Sequence, residues 1–389
     1  MNEVQTISLG EIMAKKSGSV DPSKYPDEVF DLYSIPAFDS RQPEVVSGKL
    51  IGSTKQIVEP DDVLLSKIVP HIRRSWVVGE KQGRRIIASG EWIVFRSEKI
   101  YPNYLRHVLV SDPFHLKFMS TVSGVGGSLL RARPAFVEKI KIPLPSLPEQ
   151  QRIAEILDRA EALRAKRRAA LAQLDELTQS IFIEMFGEPV TSQTKWPISS
   201  LEKSCEKITD GTHHSPSIKP TGVPYITAKH LKQHGLDFES DPWFVSEEDH
   251  KKIFSRCDPR VGDVLYIKDG ATTGLAALNH YTYEFSMLSS LALLRPKIEK
   301  MEATYLCFWL NNPLVKKEIL GGMAGAAIQR LTLSKIKSIN IPIPPLSLQK
   351  EFSHRVSAVE KLKTTYRASL VELDEFFASL QYRAFRGEL

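Results

Sequence analysis

The chain has 389 residues, of which 42% are hydrophobic and 25% are charged, and its formal net charge is +6. This length favours two domains of about 150 residues with additional segments, and the average composition argues against a disordered or membrane-spanning protein. The N-terminal residues lack a basic leader followed by an apolar stretch, so we expect a cytoplasmic protein, and the modest positive charge is compatible with a polyanionic partner.

Residues 1–147 are predicted to form a first domain of mixed α and β structure. Runs such as GEWIVFR are typical of short strands, whereas PNYLRHVLVSD is typical of a helix. The same region contains the densest basic run of the chain, between Leu64 and Arg96, in which Trp76 and Trp92 alternate with cations. This run indicates either a binding surface or a solvated basic face.

Residues 148–188 are predicted to form one long helix. The preceding segment IPLPSLPEQQ is interrupted by prolines, and no glycine or proline then occurs until Gly187. A helix of roughly 38 residues is on the order of 55 Å long, and such a length needs a packing partner. Apolar residues at alternating spacings of three and four predict a heptad seam, namely Ile153, Ile156, Leu163, Leu174, Leu177 and Ile181.

The remainder of the chain repeats this organisation, with a second mixed domain over residues 189–346 and a second long helix over residues 347–389. The segment from Ile142 aligns without gaps to the segment from Ile341, and about one position in three is identical. The two helices are therefore predicted to pack on each other through matching seams. The second seam comprises Phe352, Val359, Leu362, Leu373, Phe376 and Leu380.

No pattern in the sequence predicts catalysis. There is no phosphate-binding loop of the G-x-x-x-x-G-K-[ST] type, and no motif that grips a flipped adenine. His213 and His214 lack further ligands at metal-binding spacing, so neither a metal nor a cofactor is predicted. Three cysteines about 50 residues apart suit neither a disulfide framework nor a zinc site, and we expect buried thiols.

Taken together, these features resemble the specificity subunit of a type I restriction-modification system. The resemblance covers the whole chain and is carried by the duplicated helix openers IPLPSLPEQQ and IPIPPLSLQK and by the C-terminal SLQYRAFRGEL. The segments ITDGTHHSP, GVPYITAKHLK and GDVLYIKDGATTG are similar to segments of that family's target recognition domains. The first domain lacks a DGTH-type segment, which distinguishes it from the second.

The resemblance implies an α+β fold in which two target recognition domains alternate with two long helices that form an antiparallel coiled coil with pseudo-twofold symmetry. It implies a subunit without catalytic activity or cofactor that recognises double-stranded DNA. Each domain would read one half of an asymmetric bipartite site. The helices would set the spacing and dock two methyltransferase subunits, and restriction motor-nuclease subunits would complete the complex.

Candidate DNA contacts come from the basic run, from the ends of two glycine-rich loops and from the family-like segments, because arginine, lysine, glutamine and histidine can bind phosphate or base edges. In the first domain they are Arg73, Arg74, Lys81, Arg84, Arg85, Arg131 and Arg133. In the second domain they are Thr212, His213, His214, Lys229, His230, Lys268, Gln329 and Arg330.

Three alternatives remain open from the sequence. A DNA-binding regulator could read a bipartite site alone, without methyltransferase partners. A coiled-coil scaffold would have no DNA role and would show no salt-dependent binding to duplex DNA. A catalytic enzyme is disfavoured by the lack of a recognisable site.

Overall fold

The structure of the protein, a computed structural model, describes residues 5–14, 18–123, 130–189, 195–321 and 330–389. The chain forms two compact units: unit 1 comprises Met1–Ala169 and Arg367–Leu389, and unit 2 comprises Ala170–Tyr366. Each unit contains one mixed domain and one segment of each long helix. The predicted α+β fold with two long helices is therefore confirmed.

Unit 1 contains the first mixed domain, the first part of one long helix and the last part of the other. Its described strands are β1 (Thr6–Ser8), β2 (Ser19–Val20), β3 (Val29–Tyr33), β4 (Glu44–Ser47), β5 (Lys55–Ile57), β6 (Val63–Ser66), β7 (Ser75–Val77), β8 (Arg85–Ala88), β9 (Trp92–Phe95), β10 (Val122–Ser123), β11 (Arg131–Ala132) and β12 (Lys141–Pro143). Its described helices are α1 (Leu9–Ile12), α2 (Pro102–Val110), α3 (Asp112–Met119), α4 (Pro134–Val137) and the start of α5 (Leu147–Phe186).

One hydrophobic core of unit 1 lies between helix α2 and a three-stranded sheet in the order β7-β6-β9, and a second core packs against the other face of this sheet. Proline at the first position of α2 favours helix initiation because its missing amide donor is not needed there. The helix buries Tyr104, Leu105 and Val108 in the first of these cores, and each such side chain contributes about 1.5–3 kcal/mol. A second sheet has the order β2-β5-β8-β3-β4.

Unit 2 has a similar series of elements. Its described strands are β13 (Ile198–Ser200), β14 (Cys205–Asp210), β15 (Val223–Ile226), β16 (Leu231–Lys232), β17 (Gly235–Leu236), β18 (Phe244–Val245), β19 (Val264–Ile267), β20 (Ala276–Leu278), β21 (Ser286–Met287), β22 (Leu291–Pro296) and β23 (Asn340–Pro342). Its described helices are the end of α5, α6 (Leu201–Ser204), α7 (Glu247–Phe254), α8 (Ala303–Asn311), α9 (Pro313–Gly321), α10 (Leu333–Ser338) and the first part of α11 (Leu346–Ala384).

The two domains share a framework and differ in what is attached to it. Strand β1 pairs antiparallel with β12, with Ile7 opposite Ile142, and β13 pairs in the same way with β23, with Ser199 opposite Ile341. The sheet β7-β6-β9 corresponds to β20-β19-β22 of a sheet that β14 extends. The other sheets differ between the units. Unit 1 has the five-stranded sheet β2-β5-β8-β3-β4, whereas unit 2 has the three-stranded sheet β18-β15-β21 and a β16–β17 hairpin.

The long helices agree with the predicted spans to within a few residues. Helix α5 ends before Gly187, whose φ of +82° is a left-handed conformation that favours glycine after a helix. None of the helices in the described part of the chain combines the length and the apolar composition that crossing a membrane requires.

The predicted seam is wrong at four of its twelve positions. Ile153, Phe352, Val359 and Leu380 are buried, and Ile156, Leu174, Ile181 and Leu373 are half-buried. In contrast, Leu163, Leu177, Leu362 and Phe376 are 53%, 45%, 42% and 56% exposed. At these four turns the packed position is the next residue along the helix, namely Arg164, Thr178, Lys363 and Phe377.

Three of those four packed residues are polar, and each has a partner. Arg164 forms an ion pair with Asp374 (2.5 Å) within unit 1, and Lys363 forms one with Asp175 (2.8 Å) within unit 2. Thr178 donates a hydrogen bond to the carbonyl of Leu174, one turn earlier (2.8 Å). A pattern of apolar residues cannot reveal polar positions that are stabilised across a helix interface.

The two ion pairs occupy equivalent positions in the repeat, with the roles of the two helices exchanged. In both units the two helical segments run antiparallel. In unit 1 Arg152 also contacts the carbonyl of Leu389 (2.7 Å), and in unit 2 Phe182 packs against Phe352. The antiparallel helix packing expected from the resemblance is thus present in each unit.

Candidate nucleic-acid interface

A buried glutamine fixes the junction between the first domain and α5. Gln150 is fully buried, and its side-chain oxygen accepts a hydrogen bond from the amide of Tyr101 (2.7 Å). Its side-chain nitrogen donates to the carbonyls of Lys99 (3.1 Å) and Pro145 (2.9 Å). One side chain therefore ties the loop before α2 to the start of the long helix.

Gln349 repeats this arrangement at the junction of the second domain with α11. It is also fully buried, accepts from the amide of Glu302 (2.9 Å), and donates to the carbonyls of Lys300 (3.2 Å) and Pro344 (2.8 Å). The two junctions thus present each domain on its helix with the same local geometry.

In each domain one buried carboxylate stabilises the turn before the central strand of the shared sheet, which is β6 in the first domain and β19 in the second. Asp62 forms a two-contact ion pair with Arg96 (2.6 and 2.7 Å), which raises the pKa of the arginine through hydrogen bonding. Asp263 pairs with Arg295 at 2.9 Å through both oxygens. These two arginines were not among the predicted site residues, although the similar sequences VEPDDVLLSKI and CDPRVGDVLYIKDG contain the two aspartates at matching places.

Arg84 and Arg85 lie in the five-stranded sheet of the first domain, where acidic residues of β3 and its preceding turn neutralise them. Arg84 pairs with the buried Asp31 (2.7 Å). Arg85 forms two hydrogen bonds with Glu28, which raise the pKa of the guanidinium, and lies over the ring of Tyr25 (4.3 Å). Both side chains therefore have acidic partners within the sheet, and their role as DNA contacts stays a prediction.

The other residues of the basic run are more accessible. Arg73 pairs with Asp112 (2.5 Å), and the half-buried Arg74 has a buried Nε atom without a hydrogen-bond partner in the described structure. Lys81 is exposed. These three residues stay candidate contacts.

Arg131 lies where the chain returns from the first glycine-rich loop. It bridges to Ile68 in the loop after β6, and its side chain is 63% exposed with Nη2 on Glu91 (3.1 Å). Arg133 is exposed and donates to Ser123 (2.7 Å). Val69, which follows Ile68 in the loop after β6, has a φ of +46°, a strained conformation for a β-branched residue.

Arg330 occupies the equivalent place in the second domain. It bridges to Asp269 in the loop after β19 and forms an ion pair with the same residue through Nε (3.1 Å), with a side chain that is 63% exposed. Gln329 lies outside the described residues, as do Gly124, Gly126 and Gly127 of the first loop.

The DGTHH segment forms an exposed turn at the end of β14. Gly211 has no room for a side chain, because an added Cβ would lie 2.0 Å from the carbonyl oxygen of Met287. Thr212 closes the turn by a hydrogen bond with the amide of His214 (3.1 Å), and both histidines are exposed. Buried Asp210 binds Arg256 (2.6 Å) and lies 3.3 Å from His213, which adds the half-exposed Arg256 to this surface.

Three predicted contacts of the second domain have mainly structural environments. His230 is 1% exposed, hydrogen-bonded to Thr227 and Asp241, and burial lowers the pKa of its imidazole. Lys268 is only 3% exposed. Burial argues against direct DNA contact by His230 and Lys268. Lys229 pairs with Asp241 (2.7 Å) and lies over the ring of Trp243 (3.4 Å).

One cluster has metal-ligand chemistry but already contains a cation. Donor atoms of His107, Asp158 and Glu161 lie within 4.8 Å of one another. Arg106 bonds to both carboxylates, at 2.6 Å to Asp158 and 2.9 Å to Glu161. The cluster therefore acts as an ion-pair network between α2 and α5.

The cysteines are buried thiols, as expected. Cys205, Cys257 and Cys307 are unpaired and buried, and burial raises the pKa of each to about 12. Because the thiolate is the nucleophilic form, these residues have little nucleophilic character at neutral pH.

Comparison with known proteins gives consistent results over nearly the whole chain. A family model described as the type I restriction modification DNA specificity domain matches residues 1–173 and 194–372. The putative type I restriction enzyme MjaX specificity subunit of Methanocaldococcus jannaschii is 24% identical over 230 residues, which span 58% of this chain and only 54% of that relative. The type I restriction enzyme StySPI specificity subunit of Salmonella potsdam is 23% identical over 382 residues, covering 90% of this chain and 80% of the relative.

A solved structure has the same fold. The type-I restriction-modification system S subunit from M. genitalium superposes with a TM-score of 0.59, covering 99% of this chain and 97% of that one at 12% identity.

Proposed function

We propose that this chain is the non-catalytic subunit that selects the DNA target of a type I restriction-modification complex. The proposal starts from the family, because the chain belongs to the type I restriction-modification DNA specificity subunits. Each domain reads one half of an asymmetric bipartite site in duplex DNA. The two long helices set the distance between the half-sites and dock two methyltransferase subunits, and motor-nuclease subunits complete the assembly.

The observation that carries this proposal is the contrast between repeated junctions and unlike domain surfaces. Gln150 and Gln349 attach the two domains to their helices through the same set of hydrogen bonds. At the equivalent exposed arginines the partners differ, because Arg131 contacts Glu91 and Arg330 contacts Asp269. Equivalent placement of two domains whose exposed arginines have different partners supports two half-sites of different sequence, arranged like the two half-sites that a symmetric dimer binds.

The exposed apolar residues of the long helices support docking of two identical partners. Leu163 and Phe376 belong to unit 1, and their repeat equivalents Leu362 and Leu177 belong to unit 2. Contiguous exposed apolar patches mark interaction surfaces, and the same two apolar positions are exposed in both units. Because both units have the same pair of positions, we propose one methyltransferase subunit for each unit.

The test is co-expression of the chain with the methyltransferase subunit of the same genome in a host without adenine methylation. We expect a stable complex, and long-read sequencing should find methylated adenines in one bipartite, asymmetric motif. A complex without site-specific methylation, or a chain that binds DNA but no methyltransferase, would contradict the proposal. The second result would favour a DNA-binding regulator that acts alone.

A further inference from the structure

Arg330 is held at the surface of the second domain by its backbone and by one edge of its guanidinium. Its backbone bridges to Asp269, and the next amide, of Leu331, donates to the carbonyl of Lys268 (2.8 Å). The closest contact of its side chain with Asp269 is through Nε (3.1 Å), and the side chain is 63% exposed. Among the residues that the structure describes, the two terminal nitrogens have no hydrogen-bond partner, which makes them candidates for binding an external acceptor.

A buried network fixes the carboxylate that holds Arg330. The ammonium group of Lys268 lies 3.5 Å from Asp269 and 3.4 Å from Asp210. Lys268 and Asp210 are each 3% exposed, so this ion pair is shielded from water and holds its geometry more firmly than a surface pair. The following Gly270, at a φ of +107°, allows the tight turn between β19 and β20, which pair antiparallel.

We propose that Arg330 reads a guanine in the half-site of the second domain and that Asp269, Lys268 and Asp210 are positioning residues for this contact. An arginine whose Nε is held by a carboxylate presents its terminal nitrogens in a fixed plane. Guanine offers two acceptors, O6 and N7, on its major-groove edge, and this pair matches the two donors. This inference rests on the proposed function and adds a specific base contact to it.

The first domain presents its equivalent arginine differently, which makes the contact specific to the second domain. Arg131 is equally exposed, but its contact with Glu91 is through the terminal nitrogen Nη2 (3.1 Å). Glu91 therefore competes for one of the terminal nitrogens of Arg131, whereas the printed contact of Arg330 is through Nε. Arg131 is accordingly the matched control for Arg330.

The experiment measures coupling between the arginine and the base. The chain, in complex with its methyltransferase subunits, is titrated with duplexes containing the mapped motif, and each guanine of both half-sites is replaced in turn by 7-deazaguanine, which lacks N7. For the wild type we expect one guanine at which this change weakens binding roughly 10-fold or more. The same change should have little effect in Arg330→Lys, which keeps the charge but loses the planar pair of donors, and should keep its full effect in Arg131→Lys.

The titrations distinguish failure of the guanine contact, of the positioning role and of the proposed function. If no guanine couples to Arg330, or if Arg330→Lys equals the wild type on every duplex, the arginine contacts only phosphate or nothing and the inference is wrong. Asp269→Asn should reduce the coupling in part, and unchanged coupling there would refute the positioning role alone. Retained discrimination at the other half-site reports that the variants are folded. If the wild-type complex recognises no bipartite motif, the proposed function itself fails.

Discussion

Replacing Gln150 with leucine tests whether the junction holds the first domain on α5. Leucine has a similar volume but makes none of the three hydrogen bonds to Tyr101, Lys99 and Pro145. Each backbone group that is left unpaired beside a buried side chain costs about 1–3 kcal/mol. We therefore expect Gln150→Leu to lower the free energy of unfolding of unit 1 by at least about 3 kcal/mol.

The assay is calorimetric unfolding of the full chain. For a unit of about 200 residues, 1 kcal/mol corresponds to about 2–4 °C in Tm, so a decrease of about 6–12 °C is expected in the transition of unit 1. Gln151→Leu is the matched control, because Gln151 is the next residue of the same helix and is exposed. Equal Tm values for the two variants would refute the reasoning, and Gln349→Leu should give the corresponding loss in unit 2.

Three further predictions concern ion pairs and the helix surface. Burial alone raises the pKa of Asp258, but the hydrogen bond from Lys207 and the charge of Arg295 lower it to about 2. Asp258→Asn should therefore lower the free energy of unfolding of unit 2 at neutral pH. In urea unfolding, the difference in this free energy between the variant and the wild type should shrink as pH falls from about 4 to about 2. A constant difference would contradict this assignment. Lys363→Asp should destabilise unit 2 through repulsion from Asp175. Adding Asp175→Lys should restore about 1 kcal/mol of the free energy of unfolding in a double-mutant cycle. No recovery in the double variant would mean that the ion pair does not stabilise the helices. Leu163→Asp with Leu362→Asp should weaken methyltransferase binding at least 10-fold in a pull-down titration, whereas Ala165→Asp, at another exposed helix position, should bind normally. The fall in Tm for each leucine substitution should not exceed that of Ala165→Asp, because aspartate lowers helix propensity at any of these positions. A larger fall in Tm would mean that these leucines pack within the chain.

The repeat in the sequence predicted the framework because the residues that build it are local or recur. Gln150 and Gln349 bind carbonyls near their own helix starts, so their motif was visible in IPLPSLPEQQ and IPIPPLSLQK. The helices were predicted from proline boundaries and from apolar spacing. Only the buried row shifted by one residue, since Arg164 and Lys363 occupy it with partners on the other helix.

The candidate interface was harder to predict, because residues far along the chain determine whether a lysine or arginine is exposed or held in an internal ion pair. Arg85 is neutralised by Glu28 and Arg84 by Asp31, each more than 50 positions away. Lys268 looks like a surface lysine in GDVLYIKDGATTG, yet it is buried against Asp210. The Nε contact of Arg330 with Asp269 depends on backbone geometry that spacing alone does not reveal.

The exchanged ion pairs of the long helices also have an evolutionary meaning. Helix α5 alone contains both Arg164 and Asp175, the two types of charge that the pairs require. A half-length ancestor that ended after this helix would therefore have been complementary to a second copy of itself. Such a homodimer could recognise only two identical half-sites, and joining two copies of the gene would have released each recognition domain to diverge while the shared helices kept the fit.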